Sequence, residues 1–123
     1  MSLIPQTVRR AAVAIALCAA ALQAVAAPYV VAGASQTITS DSGPWAWDGS
    51  YLTGFRAALE NPIYFGPAGV VNRSIQTTTL GAVTAGTLAG ANMFVGTWIS
   101  DVQAAPISAA VTNFFLGGGD LFL

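Results

Sequence analysis

The chain has 123 residues, of which four are basic and five acidic, with one cysteine and no histidine. Charged side chains make up 7% of it, far below the share of about a quarter in an average globular domain. So few basic residues argue against a nucleic-acid-binding surface. The absence of histidine excludes the usual Ser-His and Cys-His catalytic pairs.

Residues 1–26 have the pattern of a cleavable Sec signal peptide. Two arginines precede an uncharged apolar run, 11–22, and small residues follow it. Cleavage is predicted between Ala26 and Ala27. The alternative is an uncleaved anchor, but the run is shorter than the roughly 20 residues that a bilayer span needs. We therefore predict export through the Sec translocon, cleavage by signal peptidase, a periplasmic or extracellular location, and no stable membrane span in the exported chain.

Removal of the signal would leave one small domain, residues 27–123. Cys18 would leave with the signal, so no disulfide could form in the oxidising compartment that the domain enters. The domain would carry a net charge of −3, from Arg56 and Arg73 against five carboxylates. Its stability must then come from packing.

The first elements of this domain are a strand, a loop and a helix. Tyr29–Ala32 predicts a short strand that ends at Gly33. Residues 35–49 are rich in Ser, Thr, Asp, Gly and Pro and predict a loop. A helix is predicted over 49–60, with Asp48 or Ser50 as its N-cap. Its apolar residues recur on one helical face: Tyr51, Leu52, Phe55, Ala58 and Leu59.

Two further strands are predicted in the middle of the chain. The first lies within 70–79, a stretch rich in β-branched residues with alternating side chains on one face: Val71, Arg73, Ile75 and Thr77. No regular element is predicted for 80–92, where small residues and glycines dominate. Met93–Ile99 is nearly continuously apolar and is typical of a strand that is covered on both faces.

A second helix and a last strand complete the chain. The helix has a clear apolar face: Ile107, Ala110, Val111, Phe114 and Phe115. Pro106 is expected in its first turn, and Gly117 at the C′ position, where φ is positive. Gly117-Gly118-Gly119 ends a helix rather than beginning one, so it is not a phosphate loop. Asp120 then begins a strand.

The order of these elements predicts an α/β domain with a mostly parallel sheet and flanking helices. A parallel sheet needs helices on both faces, and only two helices are predicted for four strands. The sequence also ends within an apolar strand. We therefore expect residues 27–123 to be the incomplete, N-terminal part of a longer domain.

Several segments resemble secreted PEP-CTERM proteins, which are exported proteins of Gram-negative bacteria whose C-terminal tail is handled by an exosortase. The segments that carry this resemblance are 55–62 (FRAALENP), 65–71 (FGPAGVV), 88–95 (LAGANMFV) and 111–123 (VTNFFLGGGDLFL). The resemblance implies a protein of the envelope or extracellular matrix. The characteristic tail, with its Pro-Glu-Pro motif, is not among the 123 residues.

The helix that runs into Asn113-Phe114 and the glycine triplet, followed by an apolar strand, also resembles class I glutamine amidotransferase-like domains. This resemblance implies a flavodoxin-like parallel sheet. In such domains the functional loop follows the strand that begins here at Asp120, and catalytic members place a cysteine there. No catalytic residue can therefore be assigned within this sequence.

The candidate binding residues lie where the first and third strands are predicted to end. Trp45 and Trp47 lie in the first loop, flanked by Asp41 and Asp48, and a sugar could stack on the two indoles. The alternative is that Asp48 caps the helix while one tryptophan packs on the sheet. Asp101, after the third strand, lies at the same edge, with a helix N-cap as its alternative.

The sequence predicts no cofactor and no metal site. Nothing in the spacing of the acidic residues selects a pair for glycoside hydrolysis. Three functions are therefore open. The first is a non-catalytic exported protein of the envelope or matrix, and the second is a carbohydrate-binding module that uses Trp45 and Trp47, with a polysaccharide as partner. The third is the front half of a hydrolase or amidotransferase-like enzyme whose catalytic residues follow Leu123.

Overall fold

The computed structural model describes residues 26–39 and 43–123. Within them, the strands are β1 (Tyr29–Ala34), β2 (Ile75–Leu80), β3 (Met93–Val95) and β4 (Asp120–Phe122). The helices are α1 (Thr53–Leu59), α2 (Ala85–Leu88) and α3 (Asp101–Leu116), and short 3-10 turns cover Gly43–Trp45 and Ser50–Leu52. The predicted signal up to residue 25 and Asp41 lie outside the described residues.

The four strands form one sheet in the order β2-β1-β3-β4, and all of their pairings are parallel. In the register of the sheet, Tyr29 lies opposite Ile75, Val31 opposite Met93, and Met93 opposite Asp120. This is the flavodoxin-like strand order, in which the chain leaves β1 toward one edge and returns on its other side. The predicted α/β fold with a parallel sheet is confirmed.

Alternation along β1 divides the core between the two faces of the sheet. Ala32 and Ala34 face a cluster that includes Phe94 of β3 and reaches α2 and α3 through Leu88 and Ile107. Val31 faces the opposite cluster, with buried Trp47 and Val95 and partly buried residues of the α1 region. The expectation of a third strand covered on both faces is confirmed by the burial of Phe94 and Val95, although β3 ends at Val95 rather than at Ile99.

The first helical region spans Ser50–Leu59, close to the predicted 49–60, but it begins as a 3-10 turn. Neither Asp48 nor Ser50 is an N-cap, since Gly49 precedes the turn and no side chain caps either segment. The predicted apolar face is only partly buried, because Tyr51 and Phe55 are more than half exposed. Packing of this region therefore depends on Leu52 and Leu59.

At the end of α1, Glu60 binds the outer edge of β2 at one residue, Thr77. Its Oε1 accepts hydrogen bonds from the backbone N–H of Thr77 at 2.8 Å and from the Thr77 hydroxyl at 2.7 Å. These bonds hold the pKa of Glu60 below its ordinary value of 4.5. One of the two edge strands is thus protected by a side chain.

The third helix begins earlier than the sequence predicts. It starts at Asp101 and contains Pro106 inside rather than in its first turn. Gln103 Oε1 accepts from both the backbone N–H and the hydroxyl of Ser100, each at 3.0 Å, and so fixes the start. Of the two phenylalanines predicted for the core face, Phe114 packs against the core and Phe115 is mostly exposed.

The helix ends in a Schellman motif. The Gly118 N–H donates to Phe115 O at 2.9 Å, and the Gly119 N–H donates to Phe114 O at 3.0 Å. The residue with positive φ is Gly118, at 95°, and not Gly117 as predicted. Gly117 is the C-cap itself, so the left-handed position falls one residue later.

Candidate functional site

The loops after β1 and β3 meet at the carboxyl edge of the sheet. The two strands are neighbours, and the connection that leaves β1 toward β2 runs to the opposite side from the connection that leaves β3 toward β4. Open α/β sheets bind ligands at such a topological switch point, where diverging loops leave a crevice. The candidate binding residues predicted from the sequence lie at this edge.

The loop after β1 is anchored by the backbone and by one carboxylate. The Ser35 N–H donates to Leu80 O at 3.0 Å, and the Trp47 N–H donates to Ala34 O at 3.3 Å. Asp48 Oδ1 accepts from the Gln36 N–H at 2.8 Å and so ties the two ends of the loop together. The structure thus gives Asp48 a role in shaping the loop, in place of the predicted helix cap.

Trp47 is fully buried against the sheet. Its Nε1–H donates to Thr78 O at 3.0 Å, and Phe55 meets its ring edge-to-face with 6.3 Å between ring centres. Arg56 lies over the same indole, at 5.9 Å, and donates to Trp47 O. No face of this ring is open to a ligand, so Trp47 is a packing residue, as the alternative for one of the two tryptophans predicts.

Trp45, by contrast, belongs to an exposed group that we call the aromatic cluster: Trp45, Tyr51 and Trp98. Trp45 and Trp98 lie nearly parallel, with 20° between their planes and 6.4 Å between ring centres. Tyr51 meets Trp45 edge-to-face at 4.8 Å. The three side chains are 54%, 62% and 69% exposed, in chain order. Three large aromatic residues share one patch of surface at the switch point.

The turn that contains Trp98 has two features that destabilise the folded state. Trp98 adopts φ of 56°, a left-handed conformation that costs a non-glycine residue about 1–3 kcal/mol. The neighbouring Thr97 Oγ1 is buried and has no hydrogen-bond partner among the described residues. Backbone strain and unsatisfied buried polar atoms concentrate at functional sites. Both features therefore favour a binding role for this turn.

Asp101 lies at the same edge but in the first turn of α3, and it is exposed. The predicted N-cap alternative is wrong, because Ser100 holds that position. A carboxylate in the first turn stabilises the helix through its dipole.

A second concave region lies at the opposite, amino edge of the sheet. The Tyr29 hydroxyl donates to Asp120 Oδ2, and Arg73 lies over the Tyr29 ring at 5.0 Å. Burial, together with the hydrogen bond to Asp120, raises the pKa of Tyr29 to about 12. Asn92 joins β1 through a 2.8 Å bond from the Val30 N–H. These contacts join the amino ends of β1, β3 and β4, so we assign them to the fold.

In residues 26–39 and 43–123, no three acidic, cysteine or histidine side chains come together as metal ligands. Across the same residues, no helix has the length and apolarity to cross a bilayer.

Comparison with known proteins finds no family model, no curated protein and no solved structure that matches the chain. The resemblance to exported PEP-CTERM proteins and to amidotransferase-like domains stays a prediction. The aromatic cluster is therefore the feature from which a function can be inferred.

Sequence reasoning found one member of this cluster and missed two. The sequence predicts Tyr51 on the apolar face of a helix and Trp98 in a buried strand. The signal that could have found Trp98 is the strand order, since the resemblance already implied a flavodoxin-like sheet that places β3 beside β1. Trp98 then follows β3 at the edge where Trp45 follows β1.

Proposed function

We propose that the protein is an exported carbohydrate-binding protein, and that the aromatic cluster is its binding surface. The observation that carries the proposal is the exposed, nearly parallel pair of Trp45 and Trp98 beside Tyr51. The C–H faces of a pyranose ring are apolar and pack against indole and phenol rings, while the hydroxyls remain at the rim. The signal peptide predicted over 1–26 supports an encounter with polysaccharide outside the cytoplasm.

The surroundings of the cluster favour an uncharged ligand. The cluster contains no acidic or basic residue. Two carboxylates lie three residues from members of the cluster. Asp48 uses Oδ1 to hold the loop, and Asp101 lies in the first turn of α3. Of the arginines in the described part of the chain, Arg56 lies over Trp47 and Arg73 lies over Tyr29. A phosphate or carboxylate ligand would have no cationic side chain to pair with in the aromatic cluster, whereas a neutral sugar needs none.

The test is binding to a panel of soluble neutral polysaccharides, measured by affinity electrophoresis. We expect retardation of the parent protein, and a loss of at least about tenfold in affinity for Trp45→Ala and for Trp98→Ala, since each removes a stacking surface. Tyr64→Ala is the matched control, because Tyr64 is an exposed aromatic residue outside the cluster. Parent-level binding by the Trp45→Ala, Trp98→Ala double variant would remove the proposal.

A further inference from the structure

An apolar groove borders the aromatic cluster. It is a cavity of about 540 Å³ between α3 and the carboxyl ends of β3 and β4. Its walls are mainly apolar side chains: Phe94, Ile107, Val111, Phe115, Leu121 and Leu123. Ser108 and Thr112 add hydroxyls, and no side chain in the lining is ionisable. A site of this size and composition is typical of small-molecule binding.

The groove and the cluster share Trp98. Its side chain lines the groove and also lies against Trp45. A ligand that stacks on the cluster can therefore extend past Trp98 into the groove. The strained turn at Thr97 and Trp98 lies at this junction.

We infer that the groove receives an alkyl or acyl chain attached to the bound sugar, an inference that rests on the proposed carbohydrate-binding function. The uncharged lining is the electrostatic match for a neutral hydrocarbon chain, since a charged group there would lose hydration without gaining a partner. The aromatic cluster matches the sugar at the other end. The ligand class is thus a glycolipid or a hydrophobic glycoside, whereas a bare polysaccharide would occupy only the aromatic cluster.

The experiment compares methyl β-glucoside with octyl β-glucoside, the latter below its micelle concentration, by calorimetric titration of the whole protein. We expect the octyl compound to bind at least about 30-fold more tightly, because each methylene that leaves water adds about fourfold to affinity and burial of two or three of them gives that factor. Equal affinity for the two glucosides would overturn the inference and leave the proposed function standing. Absence of binding by both would overturn both.

Two variants of α3 test whether the alkyl chain of the ligand lies in the groove. Ser108 lines the groove and Ala109 does not, and both are exposed. Ser108→Asp is expected to remove most of the octyl advantage while leaving methyl glucoside binding unchanged, because it places a carboxylate in the groove. Ala109→Asp adds the same charge one residue away and is expected to change neither. An equal loss in both variants contradicts the inference.

The remaining outcomes concern other occupants of the groove. If Trp45→Ala leaves octyl glucoside binding intact, the groove binds the alkyl chain without help from the sugar at the aromatic cluster, and the inference is wrong. If sedimentation shows a dimer and Ser108→Asp dissociates it, a second copy of the protein covers the groove. That result would also overturn the inference.

Discussion

Single residues fix the position of Trp47. A Cβ atom at Gly33 would lie 1.9 Å from Cγ of Trp47, well inside contact distance. The indole therefore occupies the volume that any other residue at position 33 would need. This explains a glycine inside a buried strand, where glycine is otherwise unfavourable.

Gly33→Ala is expected to destabilise the protein by about 3 kcal/mol, because the new methyl group must displace a buried ring or shift the strand. Urea denaturation followed by tryptophan fluorescence measures the change. Gly54→Ala is the control, since Gly54 lies in α1 with nothing near its missing side chain. It is expected to stabilise the protein by about 0.5–1 kcal/mol. Equal effects of the two substitutions would contradict the packing described for Gly33.

The sequence could not separate Trp45 from Trp47. The two lie in the same loop, two residues apart, and their contrasting burial arises from contacts with distant parts of the chain. Trp47 is buried because Thr78, Phe55 and Gly33 surround it. Local spacing carries no information about such contacts, whereas the position of the loop at the sheet edge could be predicted from the strand order.

At the scale of elements, α3 begins earlier than the sequence predicts. Proline is common in the first helical turn, so the sequence predicts Pro106 in the first turn of this helix. The Ser100 and Gln103 pair, three residues apart, is the stronger start signal. The short α2 was not predicted, because Ala-Gly-Thr-Leu has no apolar periodicity. Thr84 and Thr87 cap its start by reciprocal hydrogen bonds.

Pro106→Ala is expected to stabilise the protein by about 1–3 kcal/mol. Proline inside a helix has no N–H to donate to the carbonyl four residues earlier, here that of Val102, and its ring crowds that carbonyl. Alanine restores the bond. Thermal unfolding followed by circular dichroism measures the gain. Pro28→Ala, in the exposed segment before β1, is expected to change the stability little. A destabilised Pro106→Ala variant would show that the ring makes contacts that outweigh the missing bond.

At the scale of the whole molecule, few groups titrate, and two of them have shifted pKa values. The pKa of Glu60 is lowered by the hydrogen bonds from Thr77, so its contribution to stability is present above 4.5 and is lost as the pH falls. The pKa of Tyr29 is raised from 10.0 to about 12, so its contribution is present below 10 and is lost as the pH rises toward 12. The sequence contains no histidine that could titrate between them.

The free energy of unfolding is therefore expected to be flat between about pH 5 and pH 10, with losses on both sides. Urea denaturation at a series of pH values tests this. Glu60→Gln should reduce the acid loss, and Tyr29→Phe should reduce the alkaline loss, each without altering the other limb. A steep change of stability near pH 7 would show that other groups dominate.

The carboxylate of Glu60 also limits how this molecule can polymerise. Chains that join through their sheet edges propagate into fibres only when both edges are available. Here the Thr77 N–H on the outer side of β2 is already bonded to Glu60. A strand added at this edge would first have to displace that carboxylate. Edge-to-edge growth through β2 is therefore opposed.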